Sequence, residues 1–115
     1  MTNNNKNNNR NESVNRSIIF AMMWQFVRLN GFNLSDALKC AWANEKLRTA
    51  MSYGITAFRF IKVDGSIRQA YGTLKSELVP ATSEENRKHN PTVQVYYDTE
   101  KGAWRCFKKA NLLTA

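Results

Sequence analysis

The sequence predicts an α+β fold: two N-terminal helices followed by a small antiparallel β-barrel of four or five strands. Three observations carry that expectation. Apolar residues recur at helical spacing between Ile18 and Trp42, with a break at Gly31. Two later segments, Phe58 to Arg68 and Val93 to Lys108, switch to the two-residue alternation of strands. Each of these segments turns on a glycine signal, Asp64-Gly65 in the first and Thr99 to Gly102 in the second, where glycine adopts positive φ at little cost.

Residues 1–12, MTNNNKNNNRNE, hold seven of the fourteen asparagines and almost no apolar side chain, so they read as a solvated, disordered tail. Ser13 is the expected cap of a first helix that runs to Asn30 and stops at Gly31. Ile18, Met22, Phe26 and Leu29 form one stripe on it, and Phe20, Trp24 and Val27 form another on the opposite side. A helix apolar on two faces is usually buried on both: one face could pack on the barrel and the other on the second helix, and in the alternative Phe20, Trp24 and Val27 form a homodimer or protein-partner surface. Asn33 should cap a second helix from Leu34 to about Arg48, with Asp36 in its first turn and Leu34, Leu38, Ala41 and Trp42 as its buried stripe. The short link between the helices has helix-turn-helix spacing, but Asp36 would face phosphates unfavourably, which argues against base reading by the second helix. Lys39 and Lys46 project from another side as a solvated or phosphate-contacting pair.

After Tyr53-Gly54 the first strand is expected over Ile55 to Val63 and the second from Ser66 to Leu74, with Gly72 marking a bulge or sharp bend. Leu78-Val79-Pro80 ends this block, and residues 81–91 form a polar loop that includes His89. The third strand, Thr92 to Asp98, alternates Val93, Val95 and Tyr97 against Thr92, Gln94 and Tyr96. The fourth runs from Ala103 to Phe107 or Lys108, and Asn111-Leu112-Leu113 could add a short turn and a closing strand. A barrel built this way removes exposed sheet edges. The expected organisation is a tail over 1–12, a helical hairpin over 13–53 and a barrel over 54–115, the last two forming one folded unit.

Composition narrows the function classes. The net charge is +8, of which the tail through Arg16 contributes +2, leaving a basic body that attracts polyanions, nucleic acid foremost. Cys40 and Cys106 with a single histidine do not make an ordinary zinc site, and both read as reduced thiols of a cytosolic protein. The apolar run Ile18 to Trp24 is too short to span a bilayer, so no membrane is expected; no cofactor is expected either. Acids fall in turns and loops, and no Gly-rich phosphate loop, H-E-x-x-H or G-x-S-x-G occurs, so the chain reads as a non-enzyme with no catalytic or metal-ligating residues.

The string Phe60-Ile61-Lys62-Val63-Asp64-Gly65-Ser66-Ile67-Arg68-Gln69-Ala70-Tyr71-Gly72-Thr73-Leu74, followed by Tyr96-Tyr97-Asp98, Trp104-Arg105-Cys106-Phe107-Lys108 and Asn111-Leu112, resembles the WYL-like family of Sm-like SH3 β-barrel proteins. Asp36 to Trp42 is similar to the helical segment before the barrel, so the resemblance spans about residues 17–113. It implies an SH3-like barrel in a protein of gut bacteria, their phages or mobile elements, acting in the bacterial cytoplasm. Related WYL domains sense ligands in transcription regulators and defence systems. This chain has no Trp-Tyr-Leu tripeptide, so no ligand-site residue is carried over from them.

What remains is a set of basic and aromatic strand residues. Arg59, Arg68, Arg105, Lys108 and Lys109, with Lys62, are expected to share the outer face of the barrel as a DNA- or RNA-binding surface, with Tyr71 or Tyr96 stacking on bases. The competing reading is that the cations only solubilise the barrel while the tyrosines complete its core.

Overall fold

The structure is a computed structural model and describes residues 15–80 and 90–114. The Asn-rich tail, Ser13 and His89 lie outside the described residues. Helix α1 spans Arg16–Asn30 and is capped by Asn15, whose side chain accepts from the Ile18 N–H. Gly31 ends it in the left-handed conformation at φ 71°. Helix α2 spans Leu34–Tyr53, five residues longer than its sequence pattern suggested, and Asn33 caps it by accepting from the Asp36 N–H at 2.8 Å.

The buried stripes differ from those expected. In α1 they are Ile19, Met22, Met23 and Phe26, and in α2 they include Ala37, Cys40, Ala41, Leu47 and Met51. Leu29 and Leu34 are exposed. The reason is close packing of two helices over small residues: Ala37, Cys40 and Ala41 let α1 approach, which displaces the larger Leu38 and Trp42 to the margin of the contact. A second core joins Leu47 and Met51 to Phe58, Phe60, Ala70, Tyr96, Phe107 and Leu112 of the sheet. Helix α2 therefore serves both cores, its first half facing α1 and its second half facing the strands.

Four antiparallel strands follow: β1 (Thr56–Ile61), β2 (Ile67–Thr73), β3 (Val93–Asp98) and β4 (Ala103–Lys108), in the order β1-β2-β3-β4. The hairpins β1–β2 and β3–β4 are each fully paired, while β2 and β3 share only the pairs Gly72↔Asp98 and Thr73↔Tyr97. The two hairpins thus fold face to face. Phe60 stacks on Phe107 with centroids 5.1 Å apart, and Phe58 meets Tyr96 edge-on at 5.0 Å.

Gly72 is not a bulge, since its pairing with Thr56 keeps the register of the rest of the β1–β2 ladder. Its role is close approach: a Cβ there would lie 2.6 Å from Cδ2 of Tyr96. No fifth strand is present among the described residues. A 3-10 turn at Lys109–Asn111 leads to a single bridge between Phe60 and Leu112, and the Leu113 N–H donates to the Arg59 carbonyl at 3.0 Å.

Burial separates the strand faces. On β3 the buried residues are Tyr96 and Asp98, while Val93, Val95 and Tyr97 are half-buried. On β4 Phe107 is the core residue, while Cys106 is exposed and Trp104 is half-buried against Tyr97. The described residues contain no helix long and apolar enough to cross a membrane.

Candidate functional site

The inner faces of the two hairpins are packed at one end by α2 and Leu112 and part at the other to form a cleft of about 650 Å³. Phe60, Tyr96 and Phe107 form its floor, and Lys62, Arg68, Arg105 and Lys108 stand around it. Asp64 is the acidic residue of its wall. The Asp64 carboxylate is occupied locally, accepting from the Ser66 N–H and hydroxyl to hold the tight β1–β2 turn.

Register explains why two arginines reach this cleft. Arg68 pairs with Phe60, and Arg105 pairs with Tyr96, so both lie on the core-facing side of their strands. The expectation that they project from an outer surface with Arg59 is therefore corrected. The inner face runs out of apolar residues toward the open end, and the two guanidinium groups occupy it there.

The Arg68 guanidinium pairs with the Asp98 carboxylate at 2.5 Å, with Asp98 fully buried and the Arg68 side chain 21% exposed. The other Asp98 oxygen accepts from the backbone N–H groups of Glu100 and Lys101 at 2.9 and 3.0 Å. Burial pushes the Asp98 pKa up, but the Lys101 N–H, the Arg68 guanidinium and the Glu100 N–H outweigh it and hold the carboxyl below its ordinary value. Burial likewise pushes the Arg68 pKa down, and Asp98 and Tyr96 more than offset it. The Tyr96 hydroxyl titrates above its usual range because of burial and the Asp98 charge, opposed by Arg68 and Arg105.

The structure thus brings together five of the eight strand and turn candidates: Lys62, Arg68, Tyr96, Arg105 and Lys108. It separates the other three. Arg59 and Tyr71 lie on the opposite face of the β1–β2 hairpin, where Arg59 borders a second cleft with Gln69 and the Tyr71 hydroxyl accepts from the Gln69 amide. Lys109 packs in the 3-10 turn against α2, where burial pushes its ammonium pKa down despite the Glu45 carboxylate nearby. Tyr96 is 1% exposed and cannot stack on a base, which corrects that assignment. Phe20 and Trp24 are about half exposed on α1, whereas Val27 is partly buried against the helix core.

A buried polar cluster was not anticipated. Glu45 is 1% exposed and pairs with Arg48, and the Asn44 amide donates to the carbonyls of Cys40 and Lys109, each at 2.9 Å. The Glu45–Arg48 spacing of three residues on a helix was the available signal, but it reads equally as a surface pair.

Comparison with known proteins adds a family to this geometry. The family model described as WYL_2, Sm-like SH3 beta-barrel fold matches residues 44–113, more than half of the chain. The chain belongs to that family. The WYL_2 region begins at the buried Asn44-Glu45 pair and takes in every strand and the whole cleft; α1 and the first half of α2 precede it. An uncharacterised 11.5 kDa protein in the Gp31-cd intergenic region of Enterobacteria phage T4 is 33% identical over 75 residues, covering 61% of this chain and 74% of that protein. No solved structure matches.

Proposed function

We propose that this WYL_2 protein is a non-enzymatic accessory or regulatory protein of a phage or mobile element, acting in the host cytoplasm, that binds nucleic acid through the cleft between its hairpins. The observation that carries the proposal is the convergence of Lys62, Arg68, Arg105 and Lys108 on one cleft. These cations come from both hairpins, so each contributes to the same cleft. The phage relative supports the biological setting. The same proposal takes residues 112–113 as the closing edge of an SH3-like barrel, supported by the Phe60–Leu112 bridge.

Phosphate contacts make binding salt-dependent, with a slope of about −0.7 in log affinity per contact on a single strand. Four contacts give a slope of roughly −3. The test is a salt series with single- and double-stranded DNA and RNA, read by fluorescence anisotropy. Absence of binding at low salt overturns the proposal.

A second reading rests on α1, where Phe20 is 53% and Trp24 49% exposed on one side of the helix. Such a surface fits a homodimer or a protein partner. Mass measurement and pull-down of Trp24→Glu beside the parent test it; an unchanged monomer that loses no partner removes its support.

A further inference from the structure

We infer that the side of the α1–α2 pair facing away from the sheet is a docking groove for one helix of a protein partner, an amphipathic helix with carboxylates beside its apolar face. The inference rests on the second reading given above, the exposed α1 surface, and narrows it to one kind of occupant. Its first support is that two apolar seams lie on the same side of the molecule. On α1, Gln25 and Leu29 mark the flank toward the sheet: the Gln25 amide donates to the Pro91 carbonyl at 3.5 Å, and both residues border a small cavity with Thr92 and Lys108. At 3.6 residues per turn, Phe20 lies roughly 140° round the helix from Gln25 and roughly 180° from Leu29. On α2, Leu47 and Met51 face the sheet. By the same geometry Trp42 lies roughly 140° and Leu38 roughly 180° round from Leu47. Phe20 and Val27 on one helix and Leu38 and Trp42 on the other therefore share the side away from the strands.

The second support is the shape of that side. Val27, Leu38 and Trp42 are half-buried against the α1–α2 core and form a floor, while Phe20 and Trp24 stand about half exposed along it. Phe20, Trp24 and Val27 follow the i, i+4, i+7 spacing with which one helix meets another in a groove, and tryptophan is a frequent anchor of such contacts. The WYL_2 region begins at residue 44, so all five apolar residues precede the part of the chain that the family shares.

The third support is charge, and it selects the occupant. Arg16 and Arg28 are the charged residues of α1, one at each end of its seam and both exposed. Lys46 follows Trp42 by one turn of α2, exposed, with its ammonium 5.9 Å from the centre of the indole. None of these three cations belongs to an ion pair among the described residues. The acids of the helix pair are engaged elsewhere: Glu45 is buried against Arg48, and Asp36 accepts from the Asn33 amide beside a cavity that Ile61 of the sheet also lines. The groove is thus apolar along its length and positive at its margins. A second copy of the chain fits it poorly, because antiparallel packing of α1 on α1 sets Arg16 of one copy against Arg28 of the other, and like charges so placed repel. A helix from a different protein, with carboxylates flanking its apolar face, pairs with all three cations.

The experiment sorts a yeast-displayed library of helical peptides, five turns or about 18 residues long, against the full chain. Every peptide carries Leu at i, i+4 and i+7 spacing, with Glu, Gln or Lys free at the flanking positions. The same library is sorted against Trp24→Ala and against the double variant Arg28→Glu, Lys46→Glu. All three side chains are exposed, so both variants keep the fold, as far-UV circular dichroism checks. The parent should enrich Glu at the flanks. A Glu-flanked peptide should lose affinity on the order of tenfold against Trp24→Ala and about threefold to tenfold against the double variant, which should enrich Lys instead. Enrichment indifferent to flank charge overturns the acidic occupant and leaves the protein-partner reading standing. Peptides that bind Trp24→Ala as tightly as the parent lie outside the groove and overturn the inference. No enrichment, with self-association in sedimentation that Trp24→Glu abolishes, overturns it in favour of a homodimer. Oligothymidylate binding lost in the double variant, with no peptide enriched, assigns the face to nucleic acid and overturns it. No enrichment and a monomer at every concentration overturn both the inference and the reading on which it rests.

Discussion

Arg68 reaches from β2 to the buried carboxylate of Asp98 at the end of β3, thirty residues away in the chain, and their contact joins the two hairpins. Breaking a buried pair from one side leaves an uncompensated charge and costs about 3–5 kcal/mol. Asp98→Ala should therefore lower stability by several kcal/mol, since it also frees the Glu100 and Lys101 N–H groups of the β3–β4 turn. Urea denaturation at neutral pH checks this.

The same carboxylate makes stability depend on pH in a defined direction. Its folded pKa lies below the ordinary value, so its contribution is fully present above the unfolded carboxyl pKa of about 3.9 and is lost as pH falls through the folded value. An acid titration of unfolding free energy should decline in that window. Asp98→Asn should flatten the decline; an equally steep loss in the variant would assign it to other carboxylates.

Gly72→Ala should destabilise the protein by about 1–3 kcal/mol, the usual cost of overpacking. The added methyl would lie 2.6 Å from Tyr96 and 3.2 Å from Phe58, and both rings are held in the aromatic core. Because the strain is specific to that ring, the penalty should shrink in a Tyr96→Ala background, as thermal melts of the double-mutant cycle would show.

The two cysteines should react very differently. Burial pushes the Cys40 pKa up to about 11, partly opposed by the Asn44 amide, and its thiol donates to the Lys109 carbonyl at 3.4 Å. Cys106 is exposed. At pH 8 a thiol-specific reagent should modify one cysteine in the native protein and both in denaturant, with the native site mapped to Cys106 by peptide mass analysis.

The closing contact of the C-terminal segment is open to a direct measurement. If residues 112–113 act as a barrel edge, the Leu113 amide, which donates to the Arg59 carbonyl at 3.0 Å, should exchange with solvent about as slowly as the amides of β1. Exchange at the rate of a free chain end would show that β1 is an open edge there.

Much of the local structure was legible in the residues. Asn33 as a cap, Gly31 as a stop, and Asp64-Gly65 as a tight turn depend on interactions within a few residues, and each stands where its chemistry placed it. The four strands appeared at nearly their observed limits for the same reason. Strand orientation was less accessible. On β3 the apolar residues Val93, Val95 and Tyr97 alternate with Tyr96, so apolar character marks both faces and cannot choose between them. Likewise, Arg68 and Arg105 looked outward because a cation on a strand ordinarily faces water.

From the chain alone came an α+β order of two helices and two hairpins, a basic body and a family pattern of SH3-like type, since propensity, turn geometry and charge are properties of short segments. The fold in three dimensions decided which face of each hairpin turned inward, and that Gly72 gives way to Tyr96. It also decided that Arg68 finds Asp98 while Arg59 and Tyr71 end on the far side. Those outcomes depend on contacts between segments far apart in sequence. Burial there weighs every side chain of both hairpins at once, and no window of neighbouring residues contains that sum.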